Sequence, residues 1–204
     1  MENKKSKSYL IIGSIVLLIA TVDLVLGIKY DPLEDLLWFS NTILFLLAFA
    51  YILRSRLLMG SILISSIVEI PWTIDFISHV LFNKGIFGNV TGYMFNIYGA
   101  GSLRFYIEMN HLLVIPLALY GAYKIGIHEK SYLISSAHAT LLNTLTFLFT
   151  NPEKNINCIE HLCFIKSNPF AINPTFYFII WTLVLCFVSW TLNKTAIRII
   201  KNKN

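Results

Sequence analysis

Apolar positions in this chain gather into runs about as long as a bilayer crossing, and the charges fall between them. Roughly 20 apolar residues at about 1.5 Å each span a hydrocarbon core about 30 Å thick. Six runs of that kind predict helices: Ser8 to Ile28, Leu33 to Leu53, Leu57 to Phe82, Phe105 to Ile125, Ser131 to Thr150 and Thr175 to Ile197. The third and sixth exceed the minimum, so each tilts or continues as an interfacial turn. The first follows a basic stretch, but its apolar region is too long for a signal peptide and no small-residue cleavage site follows, so it reads as a retained anchor. No segment between runs is long enough for a soluble domain. The expectation is one all-α, polytopic transmembrane bundle of about six spans.

Composition agrees with that pattern. Of 204 residues, 56% are hydrophobic and only 13% charged, with a mean hydropathy of +0.66, and a water-soluble chain carries about twice that charge. Orientation follows from where Lys and Arg fall, since positive loops are retained in the cytoplasm. One side holds Lys4, Lys5, Lys7, Arg54, Arg56, Lys124, Lys130, Lys194, Arg198, Lys201 and Lys203; the other holds only Lys29, Lys84, Arg104, Lys154 and Lys166. Both termini are therefore expected in the cytoplasm, in a multi-pass protein of the cell membrane whose surroundings are membrane lipids. The net charge of +5 records insertion. No folded basic domain remains to bind nucleic acid.

Ionisable residues inside such spans cost about 2.5 to 3.5 kcal/mol each, so each calls for a partner, a cavity or a role. The chain places Asp23 in span one; Glu69, Asp75 and His79 in span three; Glu108 and His111 in span four; and His138 in span five. Most fall in the outer halves of their helices, with Glu69 and His138 near the middle. That convergence predicts a polar cavity opening outward. Within span three, Glu69, Trp72, Asp75 and His79 fall inside an arc of roughly 120° at about 100° per residue. Asp75 and His79 at i,i+4, and Glu108 and His111 at i,i+3, are two carboxylate–imidazole pairs. A carboxylate one turn from an imidazole fixes its tautomer and raises its basicity. Facing one cavity, the two pairs would divide acid and base work or ligate a divalent metal. Asp23 reads instead as a group that bonds across helices or reaches for headgroups.

Two outer loops carry further candidates. Asn83 to Arg104 holds five of the ten glycines, Gly85, Gly88, Gly92, Gly99 and Gly101, with Phe87, Tyr93, Met94, Phe95 and Tyr98 among them. Both an interfacial cap over the bundle and a plain extracytoplasmic loop fit that composition. Cys158 and Cys163 bracket His161 in the other loop; a short disulfide, two free thiols and a Cys/His metal patch all remain open. Cys186, inside the last span, reads as a small buried hydrophobe. Pro71 and Pro116 each free a carbonyl within a helix.

The series Pro71-Trp72-Thr73-Ile74-Asp75-Phe76, Thr91-Gly92-Tyr93-Met94-Phe95, Arg104, His111 with Pro116, and Asn155-Ile156-Asn157 resembles a family of uncharacterised prokaryotic multi-pass membrane proteins over roughly Leu37 to Asn157. The resemblance implies a six-helix integral membrane protein and brings no reaction. It singles out Asp75, Tyr93, Arg104, His111 and Asn157; Glu69 and the Cys158 to Cys163 loop lie outside its pattern. A remoter likeness to membrane acyltransferases that use a Cys and a His lacks the nucleophile, because Ser40 stands near where the Cys would be.

Three functions compete on these residues. The first is an enzyme acting on lipid at the outer leaflet, with Asp75, His79, Glu108 and His111 as catalytic groups. In it Tyr93, Arg104 and Asn157 hold substrate, and Arg104 grips a phosphate headgroup through two parallel bonds. The second is a proton-coupled transporter using the same acids and histidines. The third is an accessory subunit packed against an unknown partner. No cofactor is named by the sequence.

Overall fold

The computed structural model describes residues 2–163 and 172–201. Lys166 and Lys203, counted above for orientation, lie outside the described residues. Among those described, every regular element is helical. Eight α-helices follow one another: α1 Glu2–Tyr30, α2 Phe39–Ile52, α3 Arg56–Ser65, α4 Glu69–Phe82, α5 Leu103–Glu108, α6 His111–Lys124, α7 Ser131–Phe149 and α8 Pro174–Lys201. Four helical stretches are long and apolar enough to cross a membrane: Lys7–Tyr30, Arg56–Phe82, Leu103–Lys124 and Pro174–Ile199. Their outer surface is apolar as well, with Leu18, Phe82, Tyr123 and Phe187 exposed. In the α8 stretch only 11% of the apolar window is buried inside the protein.

The second and fifth predicted spans differ from expectation. Leu33–Leu37 forms a 3-10 turn whose Glu34 and Asp35 bind the Lys154 ammonium, leaving α2 with 14 residues, or about 21 Å. The fifth run is the single helix α7 of 19 residues, but Ser135, His138, Asn143 and Thr146 dilute its apolar character, so it is not one of the four. Four of its polar residues point inward: Ser131, Ser135, Asn143 and Thr146 are all buried.

Spans three and four are each interrupted. Between α3 and α4 a 3-10 turn covers Ser66–Val68. Pro71, in the first turn of α4, has no N–H to offer the carbonyl of Ile67, so regular α-helix cannot run through this point. Between α5 and α6, bonds from Asn110 N to Ile107 O (2.9 Å) and from Leu113 N to Asn110 O (2.9 Å) tighten the chain into a turn. Glu69 opens α4, Glu108 closes α5 and His111 opens α6. Both breaks thus place ionisable side chains where the helix is discontinuous.

Two kinds of contact hold the helices together. Against α2, α1 packs through Val16, Ala20, Ile43, Leu44, Leu47, Ala48 and Tyr51, a wholly buried apolar set apart from the Tyr51 hydroxyl, which donates to Leu117 O (2.6 Å). A Cβ on Gly13 would lie 2.8 Å from Ala48 O, so glycine permits this approach. The interface of α3, α7 and α8 is polar instead: Ser65 Oγ and Ser135 Oγ lie 2.9 Å apart, and Ser135 Oγ and Ser189 Oγ 3.1 Å apart. Gly60 lets α3 close on α7 there, because a Cβ at that position would overlap Ser131.

Candidate functional site

The site is built around Arg104, in the first turn of α5. Its Nη1 donates to Asp23 Oδ1, while its Nη2 lies 2.5 Å from Asp31 Oδ2 and 2.8 Å from Glu108 Oε1. Asp23 also accepts from Asn110 Nδ2 (3.2 Å), and Asp31 from the Tyr98 hydroxyl (3.1 Å). A second chain of contacts runs inward from Glu108. Its Oε2 accepts from the Tyr93 hydroxyl (3.0 Å) and lies 3.4 Å from His111 Nε2, and His111 Nδ1 lies 2.8 Å from Glu69 Oε2. Trp72 stacks on the His111 ring at 4.5 Å. Glu69, Glu108, Asp23 and His111 are all at most 5% exposed. In the glycine-rich loop, burial and the Glu108 charge push the Tyr98 phenol up to about 12. Burial likewise carries Tyr93 well above its ordinary value, so both tyrosines keep their protons as donors.

This network forms one end of a cavity of about 650 Å³, within the range of small-molecule sites. Its remaining wall is mostly apolar, with Leu24, Phe45, Ile64, Val68, Leu185 and Val188 among its members. At its depth the hydroxyls of Ser65, Ser135 and Ser189 and the amide of Asn143 appear. Near the Asp31 end lie Lys154 and the disulfide between Cys158 and Cys163. The disulfide is the alternative realised among the three left open by spacing.

Of the expected site residues, Glu108, His111, Tyr93 and Arg104 meet here. Asp75 and His79 do not. Asp75, fully buried, accepts from Phe87 N (2.7 Å), Thr91 N (3.0 Å) and Thr91 Oγ1 (2.8 Å), and His79 Nδ1 lies 3.0 Å from the same hydroxyl. Together they anchor the glycine-rich loop, whose Met94 is buried against Phe76 and Phe105. That loop is a packed cap. The angular argument placed all four residues of span three on one face, but Asp75 and His79 sit about 9 and 15 Å further along the axis than Glu69 at 1.5 Å per residue. The two carboxylate–imidazole pairs therefore face different surroundings.

Arg104 and Asn157 both line the cavity, with the terminal nitrogens of the one and the side-chain amide of the other bonded within the protein. With three carboxylates on its terminal nitrogens, Arg104 is not free to grip a phosphate. Asn157 lines the cavity, but its side chain accepts from Phe39 N (2.9 Å) and donates to Leu37 O (2.8 Å) and Thr146 Oγ1 (3.0 Å), while its carbonyl accepts from Trp181 Nε1 (3.1 Å). Its φ of 56° is a left-handed conformation that asparagine tolerates. It clasps the start of α2 to α7 and α8.

Asp31 is a member of this network that sequence reasoning passed over, whereas Asp23, read from the sequence as a group that bonds across helices, does so to Arg104 and Asn110. The available signal was an acid within the first helix and a second one just past its end, with a lone arginine on the side predicted to be the same. Among the described residues no group of three or more His, Cys, Asp and Glu side chains is arranged to hold a metal ion, since the acids converge on a guanidinium. Compared with protein-family models, curated proteins and solved structures, this chain finds no match. Its chemistry must be read from the site itself.

Proposed function

We propose that the chain is a six-pass integral membrane protein with both termini in the cytoplasm, which admits a lipid-like amphiphile to its cavity and acts on the polar end of that molecule near the outer leaflet. One observation carries the reading: a buried ionisable network closes one end of an apolar-walled cavity of about 650 Å³. Such a shape holds a hydrocarbon body and presents its head to reactive groups. His111, with a carboxylate at each ring nitrogen, passes a proton between Glu69 and Glu108 and so to or from a bound head. Tyr93 orients Glu108, and Arg104 fixes the acids in place. The six crossings include the short α2 and the polar α7, whose Ser135, Asn143 and Thr146 are covered by the rest of the bundle. Lipid extracts from cells carrying the wild type, His111→Ala and Glu69→Gln should differ by mass spectrometry; identical extracts would contradict the enzymatic reading. Accessibility of tags at either end from the cytoplasm checks the topology.

A second reading, a proton-coupled carrier, is favoured by a specific feature. One turn from Glu69 lie the joined Ser65–Ser135–Ser189 hydroxyls, and a further turn along the same three helices Ser61, Ser131 and Asn193 are buried polar residues. Asn193 Nδ2 donates to Glu129 O (2.6 Å) at the opposite end of the bundle. Discontinuous helices at a central site are also characteristic of carriers. Proton flux into proteoliposomes that Ser135→Ala and Glu69→Gln both abolish would select this reading over the first.

A further inference from the structure

The charges of the Arg104–His111 network do not balance. Four carboxylates, Asp23, Asp31, Glu69 and Glu108, face one guanidinium, Arg104, and one imidazole, His111. Even with His111 protonated, the four carboxylates in their ionised form outnumber the cations they touch by two, and buried charge is tolerated only when it is compensated. The unmatched capacity has a definite place. Glu69 Oε1 has no hydrogen-bond partner, although the residue is only 2% exposed and lines the cavity. Asn143 Oδ1, on the same wall and fully buried, is also without a donor. Arg104 Nε is an open donor in that wall, but it stands among three acids and does not alter the balance.

We propose that the ligand of this cavity is a cationic amphiphile, an ammonium head on an apolar body, with its nitrogen received by Glu69. The proposal rests on the amphiphile reading above and names the class of molecule. An ammonium brings N–H donors and no acceptor, which is what an unpaired carboxylate oxygen lacks. Charge-assisted bonds of that kind are about twice as strong as neutral ones. Trp72, Trp38 and Tyr93 in the same wall offer ring faces that attract a desolvated cation. A phosphate or carboxylate head would meet four acids, and the guanidinium that would have received it is already held by three of them.

The test uses the full chain in phosphatidylcholine nanodiscs, with dodecylamine, dodecanol and dodecanoate as probes of equal length, bound at neutral pH to the wild type, Glu69→Gln and the cavity-filling Val188→Trp. The wild type should bind dodecylamine about tenfold or more tightly than dodecanol, the effect of one charge-assisted bond. Glu69→Gln should remove that preference while keeping its affinity for dodecanol, which shows that the variant is folded. Equal binding of amine and alcohol by the wild type, or a preference for dodecanoate, overturns the cationic assignment and leaves the amphiphile cavity standing. Binding of all three probes unaffected by Val188→Trp overturns both.

Discussion

The two sides of the bundle are joined by opposite chemistry. Between α1 and α2 the contact is apolar and tight, with Leu47, Ile43 and Ala48 fully buried and Gly13 admitting the neighbouring backbone. Between α3, α7 and α8 it is made of hydroxyls and amides: Ser65, Ser135 and Ser189, then Asn143 Nδ2 donating to Thr182 Oγ1 at 3.1 Å. In lipid the hydrophobic effect does not drive helices together, so both contacts depend on close packing and on hydrogen bonds, the latter averaging only about 0.6 kcal/mol each. The difference is therefore in what each side permits. An apolar contact can close completely, whereas the polar seam leads up to the cavity, where Glu69 retains an unpartnered oxygen.

Breaking the comparison should produce effects of graded size. Arg104→Met, which strands the buried carboxylates of Asp23 and Glu108 and the half-buried one of Asp31, should cost about 3 to 5 kcal/mol and depress the yield of folded protein by size-exclusion chromatography; restoration by Asp23→Asn in the same chain would show that unpaired charge is the cause. On the apolar side, Leu47→Ala should cost about 2 to 5 kcal/mol through the cavity it leaves, read as a lower unfolding midpoint in detergent. Asp75→Asn should cost about 1.5 to 3 kcal/mol by weakening charge-assisted bonds to the cap. Hydrogen exchange should then rise across Phe87 to Thr91, with dodecylamine binding retained. Ser135→Ala should cost only about 1 kcal/mol for two hydroxyl contacts, so a loss as large as that of Leu47→Ala would erase the distinction between the two sides.

The smallest effect concerns the latch at the Asp31 end. Bonding to Lys154 holds the Glu34 carboxyl below its ordinary value of 4.5. Burial tends to lower Lys154, but its bonds to Glu34 and Asp35 hold it above 10.5. A carboxylate lowered by folding contributes stability above its unfolded value and loses it as pH falls through the folded one. An amine raised by folding contributes below its unfolded value and loses it as pH rises through the folded one. The latch is thus intact from about pH 4.5 to 10.5. Across that window the unfolding midpoints of the wild type and Lys154→Met should stay a constant distance apart, and they should converge beyond both ends.

Much of this was legible from residue order. Hydropathy located the long helices, and the load of buried acids and histidines announced a polar interior. Arg104, Glu108 and His111 are close in sequence, so local periodicity brought them together. Glu69 was found by its depth in the third span, but not its pairing with His111, which depends on two helix breaks meeting in space. Asp75 and His79 were misjudged because angle around an axis says nothing about height along it. Asp31 was overlooked because it lies just beyond a helix end, where a charge ordinarily faces water. The fifth run was found as the helix α7, which is a weak span when hydropathy is averaged over all faces because Ser131, Ser135, Asn143 and Thr146 lie on its inner side.

The most direct test of the central claim is native mass spectrometry of the protein released from its own membrane, comparing the wild type with Val188→Trp. The account predicts that the wild type retains an amphiphile of defined mass and that the filled cavity loses it. A wild type that flies free of any adduct, or equal retention by both proteins, would contradict a ligand-binding cavity.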